Sequence, residues 1–489
     1  MIRRVSVILL CVIIMSATAS TVLAESAPYQ SYTFDYWGVV KLTPPPYLPE
    51  RSISGATLGI TPLSQARDIT IADDGTLYIA DTGNNRIIIV EPDLRTVRAI
   101  LTGFDNGGNA ERFASPSGIA LSETGGIYIA DSGNRRVVVL EPDARTLVKI
   151  VQNPKNEALP SDFVFTPLRV AVDYAGRIYV IAQNMFQGIM MFDPDGTFTG
   201  FYGTIGVTIT MWERFWRALS SKQERANSRL YIPTEFTGLD VDPVGFVYAS
   251  YMDPKGTKAV SRLNPKGEDV AKTGVNKNLG GDLEAAEFGA SRIVDVTYQG
   301  KGIYSLLDST RGRIFTYDHE GNLLYTFGGL GSQVGTFRTP TAIACAGGRI
   351  LVLDQVRSEI AIFQETEYGR LINEAVGLRF DGDETLAVEK WRQVLMLNGN
   401  LELANVGIGK AYLTSGDNYQ AMQYLRLGMS RDYYSIAFKR YRNEILKENL
   451  GWILTAAVTA VAAIFIVTYL RKRKRTQQDT PDTGVMDDV

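Results

Sequence analysis

Short apolar stretches that alternate with polar residues fill most of the chain between residues 40 and 365. Turns built from Gly, Asp-Gly and Pro-Asp separate them, and alternation with a period of two is typical of strands. This spacing predicts hairpins of antiparallel strands. From about residue 368 the apolar period changes to that of a helix, and Ala, Leu and Glu become more frequent, which predicts a helical region.

Two segments of the strand-rich region are close copies of each other. Residues 69–86 match residues 119–136 at an offset of 50 positions. Weaker copies follow, and equivalent positions in the series are Tyr78, Tyr128, Tyr179, Tyr248, Tyr304 and Leu351. One such unit does not bury its own faces, whereas six units arranged radially do, so the repeat predicts a six-bladed β-propeller. We expect the apolar stretch 32–40 to complete the last blade and close the ring, because closure protects the sheet edges.

The two close copies carry a motif with a family resemblance. Tyr78-Ile-Ala-Asp-Thr-Gly-Asn-Asn-Arg86 and its copy at 128–136 resemble the NHL repeat of six-bladed propellers, and the resemblance extends over about 40–365. It implies a mainly β fold with the propeller at 25–365. It leaves the function open, because propellers serve as enzymes, receptors and scaffolds.

A polar cluster recurs within these copies. Its members are Asp81, Gly83, Asn84 and Arg86, repeated as Asp131, Gly133, Asn134 and Arg136. Gly and Asn tolerate the left-handed backbone of a tight turn, and an Asp carboxylate accepts the N–H groups of that turn. Arg pairs with the Asp or packs its stem against the next blade. Because an active site is normally unique, recurrence favours a structural role.

The chain of 489 residues contains one His, His319, which we expect to be solvated in a turn, and two Cys. This composition weighs against a zinc site built from His and Cys and against a His-dependent triad. We therefore predict no catalytic residues, cofactor or metal site. The alternative is a surface hydrolase or lyase that uses a carboxylate-bound cation in the propeller channel. Its candidate ligands lie on or beside first strands, at Asp173, Asp240, Asp242 and Asp295.

Both ends of the chain carry membrane-related signals. Residues 1–24 combine two Arg, an apolar run and small residues, which is typical of a signal peptide cleaved after Ala24; an uncleaved anchor is the alternative. Residues 451–470 carry no charge and are long enough to cross a hydrocarbon core of ~30 Å. Five consecutive basic residues follow, so we expect 471–489 to be a cytoplasmic tail.

The segment between these signals, 25–450, holds 43 basic and 49 acidic residues, a net charge of −6. A mildly acidic exterior offers no electrostatic surface for nucleic acid. Removal of the signal peptide leaves Cys345 as the sole cysteine, and its apolar neighbours predict an inert buried thiol.

The spacing of 69 residues between the third and fourth copies predicts a helical insertion at about 208–230. Trp212, Phe215, Trp216 and Leu219 fall on one face of this predicted helix. One interpretation is a helix packed on the propeller. The other is a docking surface for a partner or for lipid headgroups, because Trp and Arg together are typical of interface hot spots.

Residues 366–450 resemble tetratricopeptide (TPR) repeats, with helices expected at 382–398, at 401–413 and from 421. One to two repeats fit, and small or aromatic residues occupy the packing positions Ala404, Gly407, Ala411, Tyr412, Gly416, Tyr419 and Ala421. A further helix at 431–450 is expected to run into the membrane span.

The sequence therefore predicts a membrane-anchored extracytoplasmic binding or scaffold protein, with its propeller outside the cell. The signal, the single span and the absence of organelle marks fit a bacterial surface protein. The expected partners are the membrane and one or more proteins, and the resemblance implies an accessory role in a membrane transport complex.

Overall fold

The computed structural model describes residues 27–154, 156, 159, 162–203, 235–252, 258–274, 279–282 and 289–478. The predicted signal peptide and the predicted insertion helix lie outside these residues. The chain forms two compact units, one up to Ala404 and the other from Asn405.

Six antiparallel sheets form a six-bladed β-propeller, as the repeat predicts. Blade one contains β4 (Asp68–Ile71), β5 (Leu77–Asp81), β6 (Arg86–Val90) and β7 (Val97–Leu101). Blade two contains β10 (Pro116–Leu121), β11 (Ile127–Asp131), β12 (Arg136–Leu140) and β13 (Leu147–Val151). Blade three contains β14 (Pro167–Val172), β15 (Ile178–Ala182), β16 (Ile189–Phe192) and β17 (Phe198–Tyr202). A ribbon between blades one and two contains β8 (Gly103–Asn106) and β9 (Asn109–Arg112).

The second half of the ring follows the same order. The described part of blade four contains β18 (Phe236–Val241), β19 (Val247–Tyr251) and β20 (Val260–Leu263). Blade five contains β21 (Ile293–Gly300), β22 (Ile303–Asp308), β23 (Arg313–Tyr317) and β24 (Leu323–Phe327). Blade six contains β25 (Pro340–Ala346), β26 (Arg349–Asp354) and β27 (Glu359–Glu365).

The ring is closed by a different N-terminal segment from the one predicted. β3 (Tyr47–Ser54) pairs with β27 as the outer strand of blade six. The predicted segment instead contributes β1 (Ser31–Phe34), which pairs with β24, and the start of β2 (Val40–Thr43), so this hairpin extends blade five. The prediction was wrong because an outer strand is only half-buried. β3 therefore contains Pro, Glu, Arg and Ser and lacks the apolar character that drew attention to 32–40.

Apolar contacts between neighbouring blades hold the propeller together. The third strands of blades one and two contain the uninterrupted apolar runs 87–90 and 137–140, and every residue in these runs is buried. Both faces of the blade-one strand are covered, because Ile87 and Ile89 pack in one cluster with Val138 of blade two. Ile88 and Val90, on the other face, pack in a second cluster with Leu351 of blade six. Burial on both faces is what favours a continuous apolar run over strict alternation.

Among the described residues, five helices follow the propeller: α1 (Glu367–Asp381), α2 (Glu384–Leu397), α3 (Glu402–Ser415), α4 (Asn418–Leu427) and α5 (Arg431–Gln478). A predicted helical region is therefore confirmed, while the TPR resemblance remains a prediction. α5 contains the apolar residues 451–470 and is long and apolar enough to cross a membrane.

Helix α1 packs on the propeller at blades five and six. Thr366 caps its start by accepting the N–H of Gly369 at 3.2 Å, and Gly382 ends it in a left-handed conformation. Phe380 near its end lies edge-on to the His319 ring, with centroids 5.3 Å apart. His319 is thus partly buried and not solvated as expected, and this burial lowers its pKa.

Candidate functional site

The first strands of all six blades surround a narrow channel of about 120 Å³. A cavity of this size holds a handful of water molecules. Four charged side chains line it: Asp68 on β4, Arg169 on β14, Asp240 on β18 and Asp295 on β21. We call these residues the channel network.

Each channel carboxylate bonds to the first strand of the next blade. Asp68 accepts a backbone N–H of β10 at 2.9 Å. Asp240 accepts a backbone N–H of β21 at 2.7 Å, and Asp295 accepts one of β25 at 2.9 Å. The inner edge of a first strand has no strand partner, so its buried N–H groups need acceptors. The carboxylates meet this need and link neighbouring blades.

Arg169 crosses the channel from blade three. Its Nη2 donates to the carbonyl oxygen of Thr341 in blade six at 2.9 Å, and its Nη1 forms an ion pair with Asp68 of blade one. One side chain therefore connects three blades. It also places a positive charge among the three channel acids.

Burial sets the electrostatics of the channel. Desolvation raises the pKa of Asp240 to about 6, although two backbone N–H groups oppose the shift. Desolvation also raises the pKa of Asp295 and Asp68, while the Arg169 guanidinium favours their charged forms. Because three acids face one guanidinium, the channel favours a proton on one of its acids near neutral pH.

A wider cavity of about 500 Å³ lies at the end of the channel where the first strands turn into the second strands. The lining of the channel leads directly into the lining of this cavity. Thr297 and Ala344 line the channel, and the residues that follow them, Tyr298 and Cys345, line the wider cavity. We call this cavity the vestibule; its walls include Tyr47, Asp73, Tyr298, Gly348, Glu365 and Asn373.

Helix α1 supplies part of the vestibule wall. Asn373 of α1 donates through Nδ2 to Glu365 Oε1 at 2.7 Å and accepts the Tyr325 hydroxyl at 2.9 Å. Burial raises the pKa of Glu365. Cys345 donates to the Tyr298 carbonyl at 3.0 Å, and burial raises the pKa of its thiol to about 12, so it stays protonated at neutral pH.

The repeated polar cluster lies at the opposite end of the first strands. Asp81 is fully buried; its Oδ1 accepts the Ser64 N–H at 2.7 Å, and its Oδ2 accepts from Arg86 Nε at 2.6 Å and from Asn84 Nδ2 at 2.8 Å. Asp131 has the equivalent partners Ala114, Arg136 and Asn134, at 2.7, 2.9 and 2.8 Å. In both blades the Asp ties the turn between the second and third strands to the loop that enters the blade.

The glycines of this cluster serve a different purpose from the one expected. The left-handed residues of the two turns are Asn85 and Arg135, with φ of 54° and 58°. Gly83 instead passes close to another backbone, because a Cβ there would lie 2.7 Å from the carbonyl oxygen of Ser64. Gly133 has the same relation to Ala114, also at 2.7 Å.

Comparison with known proteins agrees with this repeated geometry. Residues 63–89 and 113–140 match a family model described as the NHL repeat. The propeller contains NHL repeats. Each matched segment ends in the third strand of a blade and contains the Asp–Arg cluster of that blade. The NHL motif and the buried cluster are therefore the same feature.

Searching curated proteins gives no match for the chain. Among solved structures, hydrazine synthase of Kuenenia stuttgartiensis is 12% identical, with a TM-score of 0.37, over 63% of this chain and 97% of that chain. Virginiamycin B lyase from Staphylococcus aureus is 11% identical, with a TM-score of 0.39, over 65% and 99%. A protein described as a putative gluconolactonase is 13% identical, with a TM-score of 0.40, over 66% and 94%. These likenesses carry no argument about function.

Two of the four predicted channel acids line the channel of the NHL propeller. Asp240 and Asp295 do so, whereas Asp173 and Asp242 close turns at the ends of their strands. Asp173 accepts the N–H groups of Ala175 and Arg177, at 3.0 and 2.9 Å, and Asp242 accepts those of the equivalent turn in blade four. Within the described residues, no three His, Cys, Asp or Glu side chains are grouped to hold a metal ion. Arg169 also lies among the channel acids, so this donor set does not fit a cation site.

Asp68 and Arg169 were missed at the sequence level. They share one register position in the first strands, which the six blades fill with Asp68, Gly118, Arg169, Gly238, Asp295 and Ala342. An alignment of the repeats on this position would have singled out its three charged members. The other predicted site residues, Trp212, Phe215, Trp216 and Leu219, lie outside the described residues, so their partner-binding role remains a prediction.

Proposed function

We propose that this NHL-repeat protein is a membrane-anchored, extracytoplasmic binding or scaffold protein. In this proposal its propeller and helices bind protein partners or ligands, and it serves as an accessory subunit of a membrane complex. The propeller lies outside the cell and the basic tail lies in the cytoplasm. The candidate membrane-spanning helix α5 supports the anchoring, and its basic C-terminal residues support the orientation.

The observation that carries the binding role is how the channel acids are used. Asp68, Asp240 and Asp295 each accept a backbone N–H of the adjacent blade, and Arg169 bridges three blades. These groups hold the ring together, and this favours a rigid platform over an acid–base centre. A rigid ring anchored beside a membrane presents its loops and outer faces to partners.

The test is capture of the full-length protein from membranes after in situ crosslinking, followed by mass spectrometry. We expect one or more membrane proteins at stoichiometric yield. Recovery of no stoichiometric partner from crosslinked membranes would contradict the scaffold role.

The predicted docking residues provide the matched variants. We expect the double substitution Trp212→Ala and Trp216→Ala to abolish capture while circular dichroism of the propeller stays unchanged. Trp37→Ala is the control, because Trp37 is 73% exposed on the β1–β2 hairpin and its removal changes only a surface aromatic residue. Loss of the folded propeller in the double variant would instead support a packing role for these two residues.

A further inference from the structure

The vestibule is a built cavity that neither the NHL repeats nor the channel network requires. Its volume of about 500 Å³ lies within the range of cavities that bind small organic molecules. Its polar groups include two acids, Asp73 and Glu365, and one basic residue, Arg349.

Glu365 has one oxygen committed and one free. Its Oε1 accepts a hydrogen bond from Asn373 Nδ2. The Tyr325 hydroxyl donates to Asn373 Oδ1 and so fixes the orientation of this amide. Its Oε2 lies toward the vestibule glycine Gly348, where an added Cβ would be 3.3 Å away, and accepts no hydrogen bond from any described residue. The Arg370 guanidinium acts on this carboxylate from a distance but is paired with Glu374 at 2.5 Å. A partly buried carboxylate whose hydrogen-bond partner is a neutral amide gains from a cation in direct contact with it.

The remaining charges make the vestibule acidic. Within the described part of the chain, the Asp73 carboxylate makes no hydrogen bond or ion pair. The Arg349 guanidinium is already engaged, because its Nε lies 3.2 Å from Glu50 Oε2. The vestibule lining thus carries two carboxylates and one guanidinium, and that guanidinium is paired with Glu50, a balance that favours a cationic ligand.

An aromatic side chain completes this wall. The Tyr298 ring stacks on Tyr248, with centroids 5.4 Å apart, and the Gly302 N–H donates to its hydroxyl at 3.1 Å. These two contacts hold the ring in place. Aromatic rings attract ammonium groups through their quadrupole.

We propose that the vestibule binds a small organic cation, namely an ammonium group on a compact organic body. The ammonium donates to Glu365 Oε2, Asp73 supplies the second negative charge and Tyr298 contacts the body of the ligand. The site does not depend on the protein partner proposed above, so a chain that captures no partner would still bind the amine.

Isothermal titration calorimetry of the full-length protein in detergent micelles tests this with three ligands of one shape and different charge. They are tyramine, the neutral alcohol tyrosol and the corresponding carboxylate, 4-hydroxyphenylacetate. We expect tyramine to bind at least about tenfold more tightly than tyrosol, because it adds a charge-assisted hydrogen bond. The carboxylate should bind most weakly. Absence of tyramine binding, or equal affinity for all three ligands, would overturn the proposal.

Variants locate the site. Glu365→Gln keeps the shape and the contact with Asn373 but removes the charge, so it should weaken tyramine binding about tenfold and erase the preference over tyrosol. Glu141→Gln is the control, because it removes one charge from an exposed turn of blade two. It should change neither the affinity for tyramine nor the preference for tyramine over tyrosol. If circular dichroism shows that the Glu365→Gln variant does not fold, the Asp73→Asn variant is measured instead, because Asp73 is exposed. Unchanged tyramine affinity in the folded variant would show that the amine binds elsewhere.

Discussion

The NHL clusters and the channel network both depend on ion pairs between Asp and Arg, but they are organised differently. In blades one and two, Asp81 and Asp131 bind the Arg five residues later in the same blade, and both copies make equivalent bonds. In the channel, Arg169 reaches its partners in two other blades, and no second blade within the described residues repeats this arrangement.

This difference separates what stabilises one blade from what stabilises the ring. A cluster contained within a blade can be copied with the blade, so it recurs at the spacing of the repeat. A network across the centre needs one side chain to fill a space shared by six strands, so only one blade can supply it. The repeated cluster therefore marks the architecture, while the unique network marks the place where this propeller departs from its own repeat.

The largest expected effect comes from the repeated cluster. Asp81→Ala removes three hydrogen bonds and leaves the buried Arg86 guanidinium without its carboxylate. Loss of one partner of a buried ion pair typically costs about 3–5 kcal/mol. We expect the free energy of unfolding to fall by about that amount in urea denaturation followed by circular dichroism.

Asp143→Ala is the control for this substitution. Asp143 also accepts three hydrogen bonds, from Arg145 and from the backbone and hydroxyl of Thr146, but it is exposed in a turn of blade two. Because water replaces these bonds, the loss should be a small fraction of that in Asp81→Ala. Equal losses in the two variants would mean that burial does not distinguish the NHL cluster from an ordinary turn.

The channel network should be recognised by its pH dependence. Burial raises the pKa of Asp240 to about 6, above its value in the unfolded chain, so the folded state holds a proton that the unfolded state has lost. The contribution of Asp240 to the free energy of unfolding should therefore fall, by on the order of 2 kcal/mol, as pH rises from about 4 to about 6. Asp240→Asn does not titrate, so the stability difference between natural protein and variant should shrink or reverse over this range in urea titrations.

Asp195→Asn is the control, because the contribution of Asp195 to the free energy of unfolding should change with pH in the opposite direction. The Thr197 N–H lowers the pKa of the exposed Asp195 carboxyl, so its contribution is present at neutral pH and is lost on acidification. A pH-independent stability difference for Asp240→Asn would mean that Asp240 is not held in a desolvated channel.

Much of the propeller was predictable because its signals repeat. The strands around Tyr78 and Tyr128 and the turns after them recur with nearly identical letters, and α5 carries an uninterrupted apolar run. The ring closure was not predictable in the same way, because β3 pairs with a strand more than 300 residues away and its half-exposed sequence resembles a loop.

The candidate sites were harder to predict for a related reason. Asp68 and Arg169 belong to different blades and are separated by 101 positions in the sequence, so no local spacing joins them. The vestibule combines β3, the turns that follow four first strands, and α1, including Tyr47, Tyr298 and Asn373. Its charge balance depends on the pairing of Arg349 with Glu50, and that pairing appears only in three dimensions.

The smallest expected effect compares the two NHL copies at their left-handed residue. Arg135 has φ of 58° and an exposed side chain, and a residue with a Cβ is strained there by about 1 kcal/mol, so Arg135→Gly should raise the free energy of unfolding by about 0.5–1 kcal/mol. Asn85 occupies the equivalent position in blade one, but its Oδ1 accepts the Ser115 N–H at 2.7 Å. Asn85→Gly relieves less strain, because Asn tolerates this conformation, and it loses this bond, so its net effect should be close to zero or destabilising. Urea unfolding of the two variants side by side checks this, and equal gains would mean that the Asn85 bond contributes nothing to the first copy.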